Sequence, residues 1–325
     1  MTDAADSAMV DVGGGVHAVR ADFDGVPLTL YVLEGPGGRL ALVDSGVAST
    51  PERHLLPALA AAGAGAADVE TLVCTHAHHD HVGGMAALRD ANPGLSIAIH
   101  RLDLAWAEDA ARYFRELYEQ LFPGAPLPGP GFRDRILSLM GGPTAVDHPL
   151  EDGDEVEAAG RRLTVTAAPA HTPGHVVLHD REAGVLFAGD ALQAWGFEIT
   201  GRPRLFPGYL SLHAYRASVE AIATAGAARV CTAHFGVLDA DGVRRLADDS
   251  LAFTHALDDL LVGELRRRGR LTLAEGAASA LAAWPQFEPG VQAYATVNAH
   301  LQELARAGRA TPHAGAGAEK SWALI

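Results

Sequence analysis

Thr75-His76-Ala77-His78-His79-Asp80-His81-Val82-Gly83-Gly84 places four metal-ligating side chains, His76, His78, Asp80 and His81, directly after the apolar run Thr71-Leu72-Val73-Cys74. The run reads as a buried strand, and Gly83-Gly84 ahead of Met85-Ala86-Ala87-Leu88 reads as the close-packed start of a helix. In a locally extended segment His76 and His78, two residues apart, point to the same side, while Asp80 and His81 continue into the turn. One such loop can present ligands to two ions, but a dinuclear centre needs more donors than it supplies. His79, the variable residue inside HxHxDH, is expected to point away and to be structural.

The rest of the chain offers further His and Asp residues at similar strand ends. His171 opens Ala170-His171-Thr172-Pro173-Gly174-His175 after the β-branched alternation Leu163-Thr164-Val165-Thr166. Asp190 closes Val185-Leu186-Phe187-Ala188-Gly189-Asp190, and His234 follows Val230-Cys231-Thr232-Ala233 with Gly236 just beyond. Taken singly, a histidine at a strand end is an ordinary solvated or hydrogen-bonded residue. Four strands ending in His or Asp beside a Gly or Pro turn make a repeated pattern that points to one shared site.

With Asp44 in Leu42-Val43-Asp44-Ser45-Gly46, this ordered set of motifs resembles the metallo-β-lactamase superfamily of metallohydrolases, from about residue 10 to residue 240. The resemblance implies an α/β fold, an αββα sandwich in which two mixed sheets carry the metals at one edge. It implies a first metal site of His76, His78 and His171 and a second of Asp80, His81 and His234, with Asp190 bridging. Asp44 then organises the site from beneath by hydrogen bonding. The cofactor expected is two divalent metal ions, zinc by default, because imidazole and carboxylate donors without thiolate suit zinc and also accept iron or manganese. Such a pair holds a water, lowers its pKa towards neutrality and delivers a metal-bound hydroxide. Asp80 is the candidate to orient that hydroxide or to pass a proton to the leaving atom. His175 is read as pinning the Thr-Pro-Gly turn in preference to supporting a ligand. His17, His54, His100, His148, His179, His213, His255, His300 and His313 have no clustered partner in sequence.

Composition frames these motifs. A chain of 325 residues, 48% hydrophobic, can bury a large core and accommodates one big domain plus an appendage. Its 25 Lys and Arg against 40 Asp and Glu give a net charge of −15, which disfavours nucleic acid as a partner. The start, Met1-Thr2-Asp3-Ala4-Ala5-Asp6, lacks the features of a signal peptide, and no apolar run is long enough for a membrane span. Cys74 and Cys231 lie in apolar strands and read as buried thiols, which fits a cytoplasmic location.

Residues 1–240 are expected to form the catalytic domain, with a first helix over 51–62 and a helical lid insertion over about 101–141. In the insertion, Leu104, Trp106, Tyr113, Phe114, Leu117 and Tyr118 recur at near-helical spacing. They read mainly as core, with one or two reaching substrate. A second helix is expected there over 133–139. Trp195 and Phe197, just beyond Asp190, are expected to wall the site. Residues 210–225 form a helix with Ser211 as N-cap. Residues 241–311 read as a helical extension, with helices over 243–267 and 289–307 and a capping box from Thr272 to Glu275. The extension resembles a winged-helix-like tail without a β wing after Gly308. Residues 312–325 read as a loose, flexible tail.

Function follows from the site rather than the fold. A bridging carboxylate at the Asp190 motif resembles the thioesterase, lactonase and glyoxalase-II-like branch and not the antibiotic-hydrolysing enzymes. The aromatic insertion, Trp195 and Phe197 favour an apolar acyl group on a small-molecule or carrier-bound substrate, cleaved at a thioester, ester or lactone. The alternatives are an RNA nuclease or phosphodiesterase and an iron-dependent oxygenase on the same fold.

Overall fold

The computed structural model describes residues 8–122, 125–314 and 320–325. Seven strands form the first sheet in sequential order: β1 (Met9–Gly13), β2 (Val16–Phe23), β3 (Val26–Glu34), β4 (Leu40–Val43), β5 (Val69–Val73), β6 (Ser96–His100) and β7 (His148–Leu150). β1 to β4 pair antiparallel through short turns, and β4 to β7 pair parallel through helical crossovers. β4 is buried at every residue, as a parallel strand covered on both faces must be.

The second sheet uses β8 (Glu155–Ala158), β9 (Arg161–Ala167), β10 (Val176–Asp180), β11 (Val185–Gly189), β14 (Arg229–Thr232) and β15 (Val237–Leu238). All its pairings are antiparallel except β11 with β14. A separate hairpin, β12 (Phe197–Ile199) and β13 (Arg202–Leu205), packs against β3 of the first sheet.

Three layers of apolar packing hold the sandwich. Tyr31, Val43 and Val73 of the first sheet meet Val165, Leu178 and Phe187 of the second between the sheets. On the outer face of the first sheet lie α1 (Leu56–Ala61), α2 (His79–Val82), α3 (Met85–Ala91) and an insertion of α4 (Leu104–Glu108), α5 (Ala110–Phe114) and α6 (Phe132–Met140). The second sheet is covered by α7 (Leu212–Thr224), capped by Ser211, and by the long α8 (Ala240–Arg268), capped by Asp239. Each fully buried Leu or Phe in these layers contributes about 1.5–3 kcal/mol relative to exposure. The expected αββα arrangement is the one observed. The helix expected over 51–62 is a π-helical turn, Pro51–Leu55, running into α1. Pro123 and Gly124 of the expected insertion lie outside the described residues.

The C-terminal part departs from expectation. After α9 (Leu273–Ala283), opened by the Thr272–Glu275 capping box, and α10 (Val291–Arg306), the chain returns as β17 (Ala310–Ala314) and β18 (Lys320–Leu324). With β16 (Leu271–Thr272) they form a three-stranded antiparallel sheet. A β hairpin therefore does follow Gly308, and the loose-tail reading of 312–325 fails for its described residues. Trp322 supplies the reason: it is 1% exposed and packs in the same core as α8 and α10. Residues 315–319 of that expected tail lie outside the described residues. Among the described residues no helix is long and apolar enough to cross a membrane.

Candidate metal centre

The HxHxDH loop leaves the end of β5 and folds straight into α2, so consecutive residues turn from an extended to a helical track. His78 stands at the N-cap with an extended backbone, which separates His76 and His78 from Asp80 and His81 on the first helical turn. Gly83 and Gly84 permit the close approach that seats this turn. A Cβ on Gly83 would lie 2.2 Å from the Leu139 carbonyl, and one on Gly84 2.4 Å from that of Ser45.

Three strand ends bring the other histidines and aspartate to the same edge. Ligand atoms of His76, His78 and His171 lie within 4.8 Å of one another, as do those of Asp80, His81 and His234, and those of His76, His81 and Asp190. Asp190 stands between the first two groups: its Oδ2 is 3.3 Å from His171 Nε2 and 3.4 Å from His234 Nε2, and its Oδ1 is 3.7 Å from His81 Nε2. Asp80 Oδ2 is 3.4 Å from His234 Nε2.

The rings are held from behind. Asp44, in the left-handed region at φ 63, accepts the Thr75 N–H at 2.7 Å and the His81 Nδ1–H at 2.9 Å. A short polar side chain tolerates that backbone better than most. His234 Nδ1 donates to the Pro27 carbonyl at 2.7 Å, and His171 Nδ1 donates to the Gly208 carbonyl. His175 accepts the Asp190 N–H on Nε2 at 3.1 Å, so it supports the strand end that carries Asp190, where pinning the local turn had been the preferred expectation. Gly189 makes room for it, since a Cβ there would lie 2.8 Å from His175 Nε2.

Two supporting residues were missed in the sequence. Asp103, fully buried, accepts the Ala77 N–H at 2.9 Å, the Thr172 hydroxyl at 2.6 Å and the Gly174 N–H at 2.6 Å, tying the HxHxDH loop to the His171 loop. Gln193 accepts the Gly208 N–H at 2.6 Å and donates to the Asp190 carbonyl at 3.1 Å. Neither sits in a motif; the partners of Asp103 are remote in sequence, and Gln193, only three residues past Asp190, carries no signal that would single it out.

The donor set fits divalent metal. His76 Nε2 and His78 Nδ1 are 3.2 Å apart, close to the roughly 3.3 Å that two nitrogens bound about 2.0–2.1 Å from one tetrahedral zinc require. Among the described residues His81 Nε2, His171 Nε2 and Asp190 Oδ1 are buried without hydrogen-bond partners, and buried polar atoms left so are costly. Electrostatics agree. Burial, with neighbouring imidazoles adding to it, holds His76 and His78 well below the usual histidine range. Burial also pushes His175 down to about 3. At His234 burial opposes protonation, but Asp190 and Asp80 outweigh it and raise the ring to about 10. His76 and His78 are thus held neutral, as ligation needs, while at His234 the carboxylates draw a positive charge that a bound cation would supply in place of the proton.

A cavity of about 340 Å3 opens on this cluster and is lined by His78, Asp80, His171, Asp190 and His234. Its apolar wall comes from four segments: Phe23 and Val26 at the β2–β3 turn, Tyr113, Leu117, Tyr118 and Phe132 from the insertion, Phe197 and Phe206 beyond Asp190, and Val291 and Ala295 from α10; the charged Asp24, Arg135, Arg202 and Glu288 line it as well. The insertion thus supplies more than the one or two wall residues expected of it. Phe197 lies as expected, its ring 4.5 Å from that of His234. Trp195 does not: it is absent from the cavity wall and packs edge-on against Phe253 and Trp284. His79 points away from the ligand cluster yet lines the cavity, with Nδ1 3.3 Å from the Tyr113 hydroxyl.

Two stacked mixed sheets with this ordered His and Asp set at one edge define the class, and the chain belongs to the metallo-beta-lactamase superfamily, whose family profile matches residues 24–234. Among curated proteins it is similar to an acyl-coenzyme A thioesterase of Gallus gallus, 26% identical over 74% of this chain and 85% of the relative. It is also similar to a hydroxyacylglutathione hydrolase of Gloeobacter violaceus, 33% identical over 58% of each chain. Among solved structures, a metallo-beta-lactamase family protein of Thermus thermophilus superposes with a TM-score of 0.72 at 26% identity, covering 96% of this chain and 99% of that one.

Proposed function

We propose that the protein is a dinuclear-metal hydrolase that cleaves the thioester of an apolar acyl group, with an ester or lactone as the next substrate classes. The observation that carries this reading is the aromatic-walled cavity of about 340 Å3 opening directly on the His and Asp cluster. Its similarity to hydrolases named for acyl-coenzyme A and hydroxyacylglutathione supports the same chemistry.

His76, His78 and His171 would hold one ion and Asp80, His81 and His234 the other, with Asp190 between the two ligand groups. Zinc is the ion this donor set suits first, with iron or manganese accepted by the same groups. When bound, the two ions supply Lewis acidity towards the acyl carbonyl and lower the pKa of a water towards neutrality. The protein's own residues do the rest. The cavity walls bind the acyl chain and exclude water from it, which orients the carbonyl towards the cluster. Asp80, which lines the cavity with its Oδ2 near His234, stays ionised because its burial is outweighed by His81, His79 and His234, so it would take the proton released by the attacking water and pass it to the leaving sulfur. Asp44 and the Pro27 and Gly208 carbonyls fix the rings of His81, His234 and His171, so that reaction needs little reorganisation. Residues 1–240 carry the chemistry, and the extension from 241 onward closes the substrate side. The buried free thiols of Cys74 and Cys231 suit a cytoplasmic enzyme.

The hairpin after Gly308 favours one second reading, a phosphodiesterase or RNA nuclease with a winged-helix-like tail. The apolar cavity and the net charge of −15 oppose it. Thiol release from acyl-pantetheine thioesters of graded chain length, with zinc-loaded protein, separates the two. Release that Asp80→Ala abolishes is the expected result; no release across the panel, together with cleavage of single-stranded RNA, would reverse the choice.

A further inference from the structure

His171 is oriented by the carbonyl of Gly208, and the loop that carries this carbonyl is gripped by the C-terminal extension. Thr296 of α10 spans it: the hydroxyl donates to the Pro207 carbonyl at 2.5 Å and accepts the Tyr209 N–H at 3.2 Å. The two bonds fall on either side of Gly208. Behind them the Tyr209 hydroxyl donates to His300 Nε2 at 2.8 Å, and His300 Nδ1 donates to Asp258 of α8 at 2.7 Å. Tyr209, Thr296 and His300 are each 0% exposed, so these bonds are shielded from competing water. The neighbour of Thr296, Ala295, lines the cavity. One helix therefore both walls the substrate side and sets the height of the carbonyl on which a ligand ring hangs.

We infer that Thr296, backed by His300, is a positioning residue of the metal centre: the extension aims the His171 ring at its ion by fixing the Pro207-Gly208-Tyr209 loop. The inference rests on the reading of His171 as a ligand. Removing the Thr296 hydroxyl leaves Gln193 as the remaining side-chain hold on Gly208, so the loop loosens, the Gly208 carbonyl drifts from His171 Nδ1, and Nε2 turns from the position it shares with His76 and His78. Loss of a group that orients a ligand typically weakens metal binding by about 10–100-fold. Thr296 acts through one further residue, so the low end, about tenfold, is expected.

The test uses the full chain. Zinc affinity is measured by competition with a chromophoric chelator, and the ligand geometry by the visible absorption of the cobalt(II)-loaded protein. Thr296→Val keeps the shape and loses the hydroxyl; Thr296→Ser keeps the hydroxyl. The expected result is one zinc bound about tenfold more weakly and a shifted cobalt band in Thr296→Val, with Thr296→Ser close to the parent. A thermal melt of the metal-free proteins reports any general loss of stability, which by itself leaves the cobalt band of the folded protein unmoved. Thr296→Ala stands in should the valine variant fail to accumulate. If Thr296→Val has parental affinity and spectrum while His171→Ala loses one ion, the positioning role is overturned and the ligand reading stands. If His171→Ala keeps both ions at parental affinity, the ligand reading itself falls and takes the inference with it.

Discussion

Replacing Asp103 with alanine removes the carboxylate that ties the HxHxDH loop to the His171 loop. The side chain is fully buried, and its two oxygens satisfy the Ala77 N–H, the Gly174 N–H and the Thr172 hydroxyl. Each buried donor left without a partner costs about 1–3 kcal/mol. The hydroxyl can rotate towards another acceptor, whereas the two N–H groups are fixed by the backbone. Two such groups lose about 2–6 kcal/mol, and water entering the vacated space recovers part of it, which leaves a net destabilisation of about 2–4 kcal/mol. Against a typical stability of about 5–15 kcal/mol that is a large fraction. Urea unfolding of chelator-treated protein is the measurement, because bound metal stabilises the folded state by mass action and would mask the difference. Asp103→Asn keeps one acceptor but turns an amide N–H towards a donor, so its loss falls between that of the alanine variant and none. A loss below about 1 kcal/mol in Asp103→Ala would mean that water replaces the carboxylate at no cost and that the tie between the loops carries no energy.

Trp322→Ala should cost about 3–5 kcal/mol and open the C-terminal strand to limited proteolysis; parental stability would return the last residues to the status of a loose tail. Tyr118→Ala enlarges the cavity at its insertion wall, so KM for the acyl chain that fits best should rise about tenfold, equivalent to about 1.4 kcal/mol of lost contact, with kcat little changed. A fall in kcat alone would place Tyr118 outside the binding surface. Burial holds the His300 pKa below the usual histidine value against the pull of Asp258. As pH falls below about 6.5 the unfolded chain therefore takes up a proton that the fold refuses, and stability declines. His300→Gln, which can still donate to Asp258 and accept from Tyr209, should flatten the dependence of unfolding free energy on pH between about 7 and 5; an unchanged slope would assign that acid sensitivity elsewhere.

The ligand loops were legible because each is local: an apolar strand, a His or Asp at its end, and a glycine or proline that turns the chain. The resemblance that those motifs carry, taken in their order, then implied the sandwich. Trp195 was misread because nearness in sequence to Asp190 does not set direction. Ala194 adopts φ 44, and the turn it makes sends Trp195 to Phe253 and Trp284 before Phe197 returns to the cavity in β12. His300 looked ordinary because it sits in a periodic amphipathic helix, with partners at Tyr209 and Asp258 that only folding brings together. The strands after Gly308 were hidden by the Ala and Gly composition of the stretch between them, with Trp322 as the one strong apolar signal.

Chemistry and selectivity lie on different parts of this chain. The His and Asp cluster belongs to strand ends within residues 24–234, the part that matches the superfamily. Much of the cavity wall comes instead from the helical insertion and from α10, the latter wholly outside that match. Strand ends are fixed by sheet register, so their geometry tolerates little change. Helices packed on the outside can alter side chains facing the cavity while their remaining faces keep the core. Substitutions among Tyr113, Leu117, Tyr118, Val291 and Ala295 should therefore move acyl preference without removing metal, whereas Thr296, one residue from Ala295, couples to the centre itself through the His171 loop. Metal content and acyl selectivity, measured on the same variants, should separate along that boundary. Thr296 is the position on α10 expected to move the metal readout.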